Sequence, residues 1–381
     1  LPEEKQMKLT SRERIMRIFR NEEIDKPALK LWGFEPNLKL LNPAYRPVIE
    51  TAAEKTDWFV NAVSSMNIYC GKYAGQLIER EYYETDQPIW RDLHTTFHTP
   101  KGDLHGVQRF STVGEPSYMM EYMIKEPEDL DKLLSMPYEE DDYDAAPFYE
   151  KKAMVGERGV VMTYLDHAGY ALQRITGSEN LAYFSVDCRE KVDEVIGVFG
   201  KRVLSYAKKI LAAGVIEPFM WVGPELFTPP LLSPKDFDDF VFKYDKTVCD
   251  AIHNAGANVW VHCHGKVAEL VGRYIEMGVD ILNPLEPPKN GDINLKKIVE
   301  QYGNRIGWEG NIEIQDILQA QPKHLKTLID ECVEAGNRSG RFVLCPSAGF
   351  MEYPRPSKEY IDNLLLYLNY GFERVEACRR G

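Results

Sequence analysis

Asn258-Val-Trp-Val-His-Cys-His-Gly265, a helical stretch from Lys266 to Met277, Gly278, then Val279-Asp-Ile-Leu-Asn-Pro-Leu-Glu286: this run decides the fold. Each apolar stretch is too short for a helix and rich in residues that suit a strand buried on both faces. Glycine ends the helix between them. The same grammar extends in both directions. Upstream, a helical stretch from Lys201 to Ala213 stops at Gly214, and Phe219-Met-Trp-Val-Gly223 reads as a short strand. Ser233 caps the next helix with Pro234 in its first turn, and that helix runs to about Ala255 before Gly256. Downstream, the helix from Leu295 to Tyr302 is closed by Gly303 and followed by the strand Arg305–Gly310. The helix from Pro322 to Ala335 is closed by Gly336 and followed by the strand Arg341–Cys345, and Ser357 opens the last helix.

A strand–helix period of about 35 to 45 residues builds a parallel sheet, closed as a barrel or open and doubly wound. The serial strands, a chain long enough for eight, and the lack of a glycine-rich fingerprint after the first strand favour the barrel. Earlier strands are Ala28–Gly33, a weaker one near Asp57 to Val63, and Val160–Leu165. The expectation is an α/β fold, a (β/α)8 TIM barrel, with residues 1–381 forming a single domain. An antiparallel hairpin insertion is expected near residues 85–125, where Ile89–Asp92 and Thr95–His98 lead into a Pro/Gly turn at Thr99-Pro-Lys-Gly-Asp-Leu104. The acidic run Glu139–Asp144 reads as a solvated linker.

The 381 residues, 44% hydrophobic and 28% charged, are ordinary for a globular protein able to bury a sizeable core. A formal net charge of −13 argues against nucleic acid and anionic membranes as partners. No apolar run reaches the ~20 residues of a membrane span, and Leu1–Met7 has no signal-peptide core. Seven scattered cysteines without a CxxC pair point to a reducing, cytoplasmic setting rather than a disulfide framework.

In a barrel, the C-terminal strand ends hold the site. Read in order, these ends carry Trp32 and Glu35, Asp166 and His167, Glu225, His262 and His264, Glu286, Glu309 and Asn311, then Cys345. Alternation puts His262 and His264 on one side and Cys263 on the other, a common start for a metal site. The simpler alternative is that both imidazoles only hydrogen-bond. Glu225 sits in the stiff loop Gly223-Pro-Glu-Leu-Phe-Thr-Pro-Pro230, Asn311 either holds a polar substrate group or caps a turn, and Cys345 is either a ligand or an inert buried thiol. Two imidazoles, several carboxylates and a thiol at one face form an enzyme-like set acting on a small-molecule substrate.

Several segments together resemble the uroporphyrinogen decarboxylase superfamily: Asn21-Glu-Glu-Ile-Asp-Lys-Pro27, Thr99-Pro-Lys-Gly-Asp103, Gly177-Ser-Glu-Asn-Leu181, Leu232-Ser-Pro-Lys-Asp-Phe237, His262-Cys-His-Gly265, Gly278-Val-Asp-Ile-Leu282 and Gly310-Asn-Ile312. The resemblance spans nearly the whole chain in order and implies a single (β/α)8 barrel. Decarboxylases proper carry arginines for the porphyrinogen carboxylates in their first strand. Pro27-Ala-Leu-Lys-Leu-Trp-Gly-Phe-Glu35 has none, which turns the reading towards the superfamily's methyltransferases. Their His-x-Cys zinc motif reads His262-x-His264 here, and Ala348 stands where their later cysteine falls. The resemblance therefore implies zinc or another divalent metal on His262, His264 and Glu286, with Glu225 or Cys345 as a fourth ligand. Without the family's sulfurs, such a site favours oxygen chemistry over a thiolate. Glu225 would act as general base or extra ligand, and Asn311 and Trp32 would position the substrate. Methyl-corrinoid or tetrahydrofolate is the implied co-substrate, a corrinoid protein the implied partner, and a homodimer the implied assembly. The alternatives are a lyase, decarboxylating a small aromatic or porphyrinogen-like acid, which needs Arg or Lys in the pocket, and a non-catalytic barrel subunit with a collapsed pocket.

Overall fold

The structure, a computed structural model, describes residues 8–40, 42–352 and 355–379. The stretch Leu1–Met7, read above for a signal peptide, lies outside them. Along the chain, β1 (Ala28–Leu29) and β2 (Trp58–Ala62) are followed by β3 (Ile78–Glu84), β4 (Trp90–Phe97), β5 (Leu104–Ser111) and β6 (Tyr118–Glu121). Then come β7 (Gly159–Tyr164), β8 (Phe219–Val222), β9 (Val259–His262), β10 (Ile281–Asn283), β11 (Gly307–Ile312) and β12 (Phe342–Pro346). Strands β2, β7 to β12 and β1 pair in that order, all parallel, as the eight staves of a (β/α)8 barrel. The seam between β1 and β2 is held by Asp57, whose N–H donates to the Leu29 carbonyl at 2.7 Å while its Oδ2 accepts the Leu29 N–H at 2.9 Å.

Period-two alternation sorts the strand residues. Ala28, Phe59, Val160, Met162, Met220, Trp260, Ile281 and Val343 pack together inside, while their neighbours such as Leu29, Val60, Val161 and Leu344 join the core under the helices. One end of the barrel is plugged. The helix Ser11–Arg20, opened by a Thr10/Glu13 capping box, sends Ile15, Ile18 and Phe19 into the interior cluster. The plug is fixed by Arg14, paired with Asp25 at 2.8 Å and Asp57 at 2.6 Å.

Arg341 fixes it too, with no carboxylate partner among the described residues. Its guanidinium donates to the carbonyls of Ile18 and Phe19 at 2.8 Å, Asn304 at 2.9 Å and Asp280 at 3.1 Å. Burial pulls its pKa down to about 10, only partly offset by the nearby Asp280 charge. Arg341→Met would strand those carbonyls, each worth about 1–3 kcal/mol when left unpaired. The variant is expected to lose about 2–5 kcal/mol, read as a lower urea midpoint at unchanged slope.

Three sequence readings need correction. Gly336 does not end its helix, which runs Pro322–Asn337; a Cβ there would lie 2.4 Å from the Phe342 ring, so the glycine serves close packing on β12. The insertion is larger than a hairpin. β4 and β5 form the expected hairpin about Thr99–Gly102, but β3 and β6 flank them in a four-stranded antiparallel sheet. The almost wholly exposed, charged β3 carries no apolar alternation to announce it. The acidic run is not a free linker either: Glu139 and Asp142 pair with Lys72, and Glu140 pairs with Lys209. Among the described residues no helix is long and apolar enough to cross a membrane.

Candidate active site

With the Ser11–Arg20 helix closing one end, the strand C-termini at the other end are where side chains converge. β9 lies between β8 and β10, with Val222 and Asn283 both in register with His262. His262 and His264 come together as alternation requires, ring centroids 4.4 Å apart and nearly perpendicular. Cys263 points away, and burial pushes its thiol well above the usual range.

His262 is 6% exposed and stacks on Trp32 at 4.6 Å. Its Nδ1 meets Asn283 Oδ1 at 2.6 Å, and Asn283 Nδ2 donates to Glu309 Oε1 at 2.8 Å. The Glu309 carboxylate, paired with Lys30 at 2.6 Å, can only accept. This fixes the Asn283 amide, which in turn fixes the proton of His262 on Nδ1 and leaves Nε2 with a bare lone pair. Burial, helped by the His264 and Lys30 charges, lowers the His262 pKa to about 3, so the ring is neutral.

His264 behaves oppositely. Its Nδ1 meets Glu286 Oε1 at 2.8 Å, and the Gly265 N–H holds the other oxygen at 2.9 Å. Burial depresses the imidazole, but the hydrogen bond and the charges of Glu286, Glu225 and Glu313 outweigh it and leave its pKa raised. For Glu286, burial pushes up and His264 with the Gly265 N–H pulls down further, so its carboxyl stays ionised. Gly291 makes room for this arrangement, since a Cβ there would fall 2.2 Å from the Glu286 carbonyl oxygen. Two more carboxyls close in. Burial raises the pKa of Glu225, on the short turn Pro224–Phe227, and burial and the Glu286 charge likewise raise Glu313. Among the described residues neither Glu225 Oε2 nor Glu313 Oε1 has a hydrogen-bond partner.

Beside the histidines lies a cavity of about 270 Å³, lined by Trp32, Phe34, Phe59, Met162, Met220 and Trp260 among others. Trp32 is the shared wall, stacked on His262 and lining the cavity. Lys30 reaches the same cavity, and Glu35 stands at its rim, 3.7 Å from Lys151.

Four of the expected residues therefore gather at the mouth, His262, His264, Glu286 and Glu225, with Trp32 against them. Two do not join them. Asn311 pairs with Cys345 across β11 and β12, but its amide donates to the Leu285 carbonyl and its backbone N–H to Cys332. It lines a separate cavity of about 470 Å³ outside the barrel, against the helix Pro322–Asn337. Cys345 is fully buried beside Glu309 and Lys30, and burial together with the Glu309 charge pushes its thiol well above the usual range. Sequence reasoning passed over Lys30, Asn283 and Glu313. The signal for Lys30 was legible: a lone lysine in an apolar strand, on the same face as Ala28 and Trp32.

The expected metal set does not assemble. Among the described residues no group of three or more His, Cys, Asp or Glu side chains is placed to hold a metal ion. Both Glu286 oxygens are occupied by His264 and Gly265, and Cys345 lies deeper, at Glu309. Of the expected set this leaves the two imidazole Nε2 atoms and the Glu225 carboxyl, which do not come together as the three protein ligands of a catalytic zinc. The chemistry that this set supports without one is proton handling: a neutral imidazole, an imidazole–carboxylate pair that favours the imidazole's proton, and two carboxyls pushed towards their neutral form.

Comparison with known proteins places this geometry. The family model for uroporphyrinogen decarboxylase (URO-D) matches residues 159–357, just over half of the chain. No curated protein matches it. Among solved structures, a methyltransferase from Methanosarcina mazei is similar over 95% of this chain and 99% of its own, at 13% identity and a TM-score of 0.57. D-psicose 3-epimerase from Clostridium cellulolyticum H10 matches over 61% of this chain and 84% of its own, at 12% identity and a TM-score of 0.37. A protein described as a vitamin-B12 independent methionine synthase from Listeria monocytogenes matches over 61% and 70%, at 16% identity and a TM-score of 0.35. The first likeness shows the shared fold, and the family match covers the strands β7 to β12 that carry the histidines and carboxyls: this chain belongs to the uroporphyrinogen decarboxylase (URO-D) family.

Proposed function

We propose that this chain is a methyltransferase that takes a methyl group from a small, largely apolar donor held at the barrel mouth. The acceptor is a corrinoid, alone or carried by a corrinoid protein, or tetrahydrofolate. The observation that carries the reading is the cavity of about 270 Å³ beside His262. It falls just below the ~300–1,000 Å³ of pockets for drug-sized ligands, is walled by aromatic and methionine side chains, and contains no arginine. A tetrapyrrole with its ring of carboxylates meets neither its size nor its lining. The fold likeness to a methyltransferase over 99% of that chain adds support, and a formed cavity favours an enzyme over a non-catalytic barrel.

In this mechanism the bond from methyl to donor heteroatom breaks with its electron pair going to the heteroatom. The acceptor's nucleophile supplies the pair for the new bond to carbon. The heteroatom then takes a proton from Glu225, whose carboxyl burial pushes towards its neutral form. The His264–Glu286 pair restores that proton, and Trp32 orients the donor. Among the described residues the imidazoles and carboxyls at the mouth do not assemble a set of three ligands for zinc or another divalent ion, so no step runs through one.

The test supplies deuteromethyl ethers, thioethers and amines to the purified chain, with cob(I)alamin or tetrahydrofolate as acceptor, and follows the label by mass spectrometry. Label is expected on the acceptor, and Glu225→Gln is expected to slow its appearance by about 10²–10⁴-fold. Unlabelled acceptor across the whole panel overturns the reading. The second reading, decarboxylation of a small aromatic acid, gains from Lys30, the pocket cation it requires. Carbon dioxide release from benzoic acids in the same samples would put it first.

A further inference from the structure

Lys30 is a charged group with unfilled bonding capacity. It is 5% exposed, and of its three N–H donors one goes to Glu309 at 2.6 Å. The ammonium otherwise faces rings: Phe59 and Trp260 at 4.6 Å and Trp32 at 4.9 Å from their centroids. Glu309, by contrast, is saturated, taking bonds from Lys30, Asn283 and Trp260 Nε1. The pair is therefore asymmetric, with the anion fully bonded and the cation holding donors that open on the cavity.

The cavity offers one more unmet group. Asn61, on β2 next to the lysine's strand, lines it with a buried Oδ1 that has no hydrogen-bond partner among the described residues. A buried amide oxygen and a buried ammonium without their bonds each cost free energy that a ligand can recover. The walls between them are flat or polarisable: three aromatic rings, with Met162 and Met220, whose thioethers favour ring contacts.

We infer that this cavity binds a small aromatic acid, its carboxylate received by Lys30, its ring laid among Trp32, Phe59 and Trp260, and a hydroxyl donating to Asn61. The inference rests on the barrel-mouth cavity being the donor site and names the chemical class that fills it. A carboxylate answers an ammonium that has one oxygen partner, at a place where surrounding rings exclude water and strengthen the contact. The hydrogen-bond chain Lys30–Glu309–Asn283–His262 then joins the bound acid group to the imidazole at the mouth.

The probe is 4-hydroxybenzoate, which carries no methyl group, titrated into the full chain by calorimetry and by tryptophan fluorescence. Saturable binding with a change in emission is expected, at least tenfold tighter than cyclohexanecarboxylate, which keeps the charge and loses the flat ring. Met162→Trp, which fills the cavity and leaves every charge in place, is expected to abolish binding. The paired variant Lys30→Met/Glu309→Met, which leaves no lone buried charge, is expected to weaken it at least tenfold. The inference is overturned by absence of binding at millimolar probe, by equal binding of the two acids, by binding that survives Met162→Trp, or by affinity unchanged in the paired variant. Should the paired variant fail to fold, the Met162→Trp and cyclohexanecarboxylate results still decide. Binding of 4-hydroxybenzoate without methyl transfer to any acceptor sinks the methyltransferase reading alone, whereas methyl transfer from a non-aromatic donor, with no binding of the probe, sinks this inference alone.

Discussion

Glu309→Ala is expected to cost about 3–5 kcal/mol of stability, the loss seen when one partner of a buried ion pair is removed. Glu309 is wholly buried and Lys30 nearly so, and among the described residues Lys30 forms an ion pair with no other carboxylate. The same substitution strips an acceptor from Trp260 and from Asn283. Urea unfolding measures the loss. Lys30→Met alone should be damaging for the mirror-image reason, while Lys30→Met/Glu309→Met should recover much of the stability, since an apolar pair of similar volume is often neutral in place of a buried ion pair. Strong non-additivity in that cycle is the signature. Additive losses would mean that the two charges do not act as a pair.

The second large effect falls on activity. Glu286→Gln is expected to lower kcat/KM of the proposed methyl transfer by about 10²–10⁴-fold, the range for loss of a positioned acid–base group. It should also move the alkaline limb of the pH–rate profile to lower pH. Burial alone lowers the His264 pKa, and it is raised only because Glu286 and its neighbours hold the proton. Stability should respond at both ends. Glu286 is depressed when folded, so its contribution is complete above the unfolded value of about 4.3 and is lost as pH falls through its folded value. His264 is raised, so its contribution is complete below about 6.5 and is lost as pH rises through its folded value. The difference between wild type and Glu286→Gln should therefore peak between these pH values and shrink on either side. A flat difference, or an unmoved alkaline limb, would remove His264–Glu286 from the mechanism.

The barrel was legible because apolar strands, helical stretches and glycines recur with one period, and each strand read from the sequence has its counterpart in the sheet. The pairing of His262 with His264 was legible for an equally local reason, the alternation along β9. What each residue does was less so. Glu286 and Cys345 both end strands, and both read as candidate ligands, the first in the main set and the second as a fourth. In three dimensions the carboxylate is drawn to the nearest imidazole and backbone N–H, and the thiol faces Glu309 deeper in the barrel. Asn311 was misplaced because a strand-end position does not say which side of the wall a side chain takes, and its amide is held by the Leu285 carbonyl. Asn283 was invisible in sequence, since its role exists only as a link between His262 and Glu309, which come from different strands.

The plug held by Arg341 also bears on how the chain assembles. The guanidinium meets the carbonyls of Ile18 and Phe19 more than three hundred residues away along the chain, and β1 finds its ladder partner only in β12. One edge of the barrel's first strand is met early by Asp57, but its ladder edge cannot be satisfied until nearly the whole sequence has emerged. High-order contacts of this kind must bear their loop-closure entropy before they return any stability, so they slow folding and prolong exposure of unpaired edges. On the ribosome, the inner βα units can dock on one another early. The N-terminal helix and β1 must wait, and the last strand to be made is the one that closes the barrel.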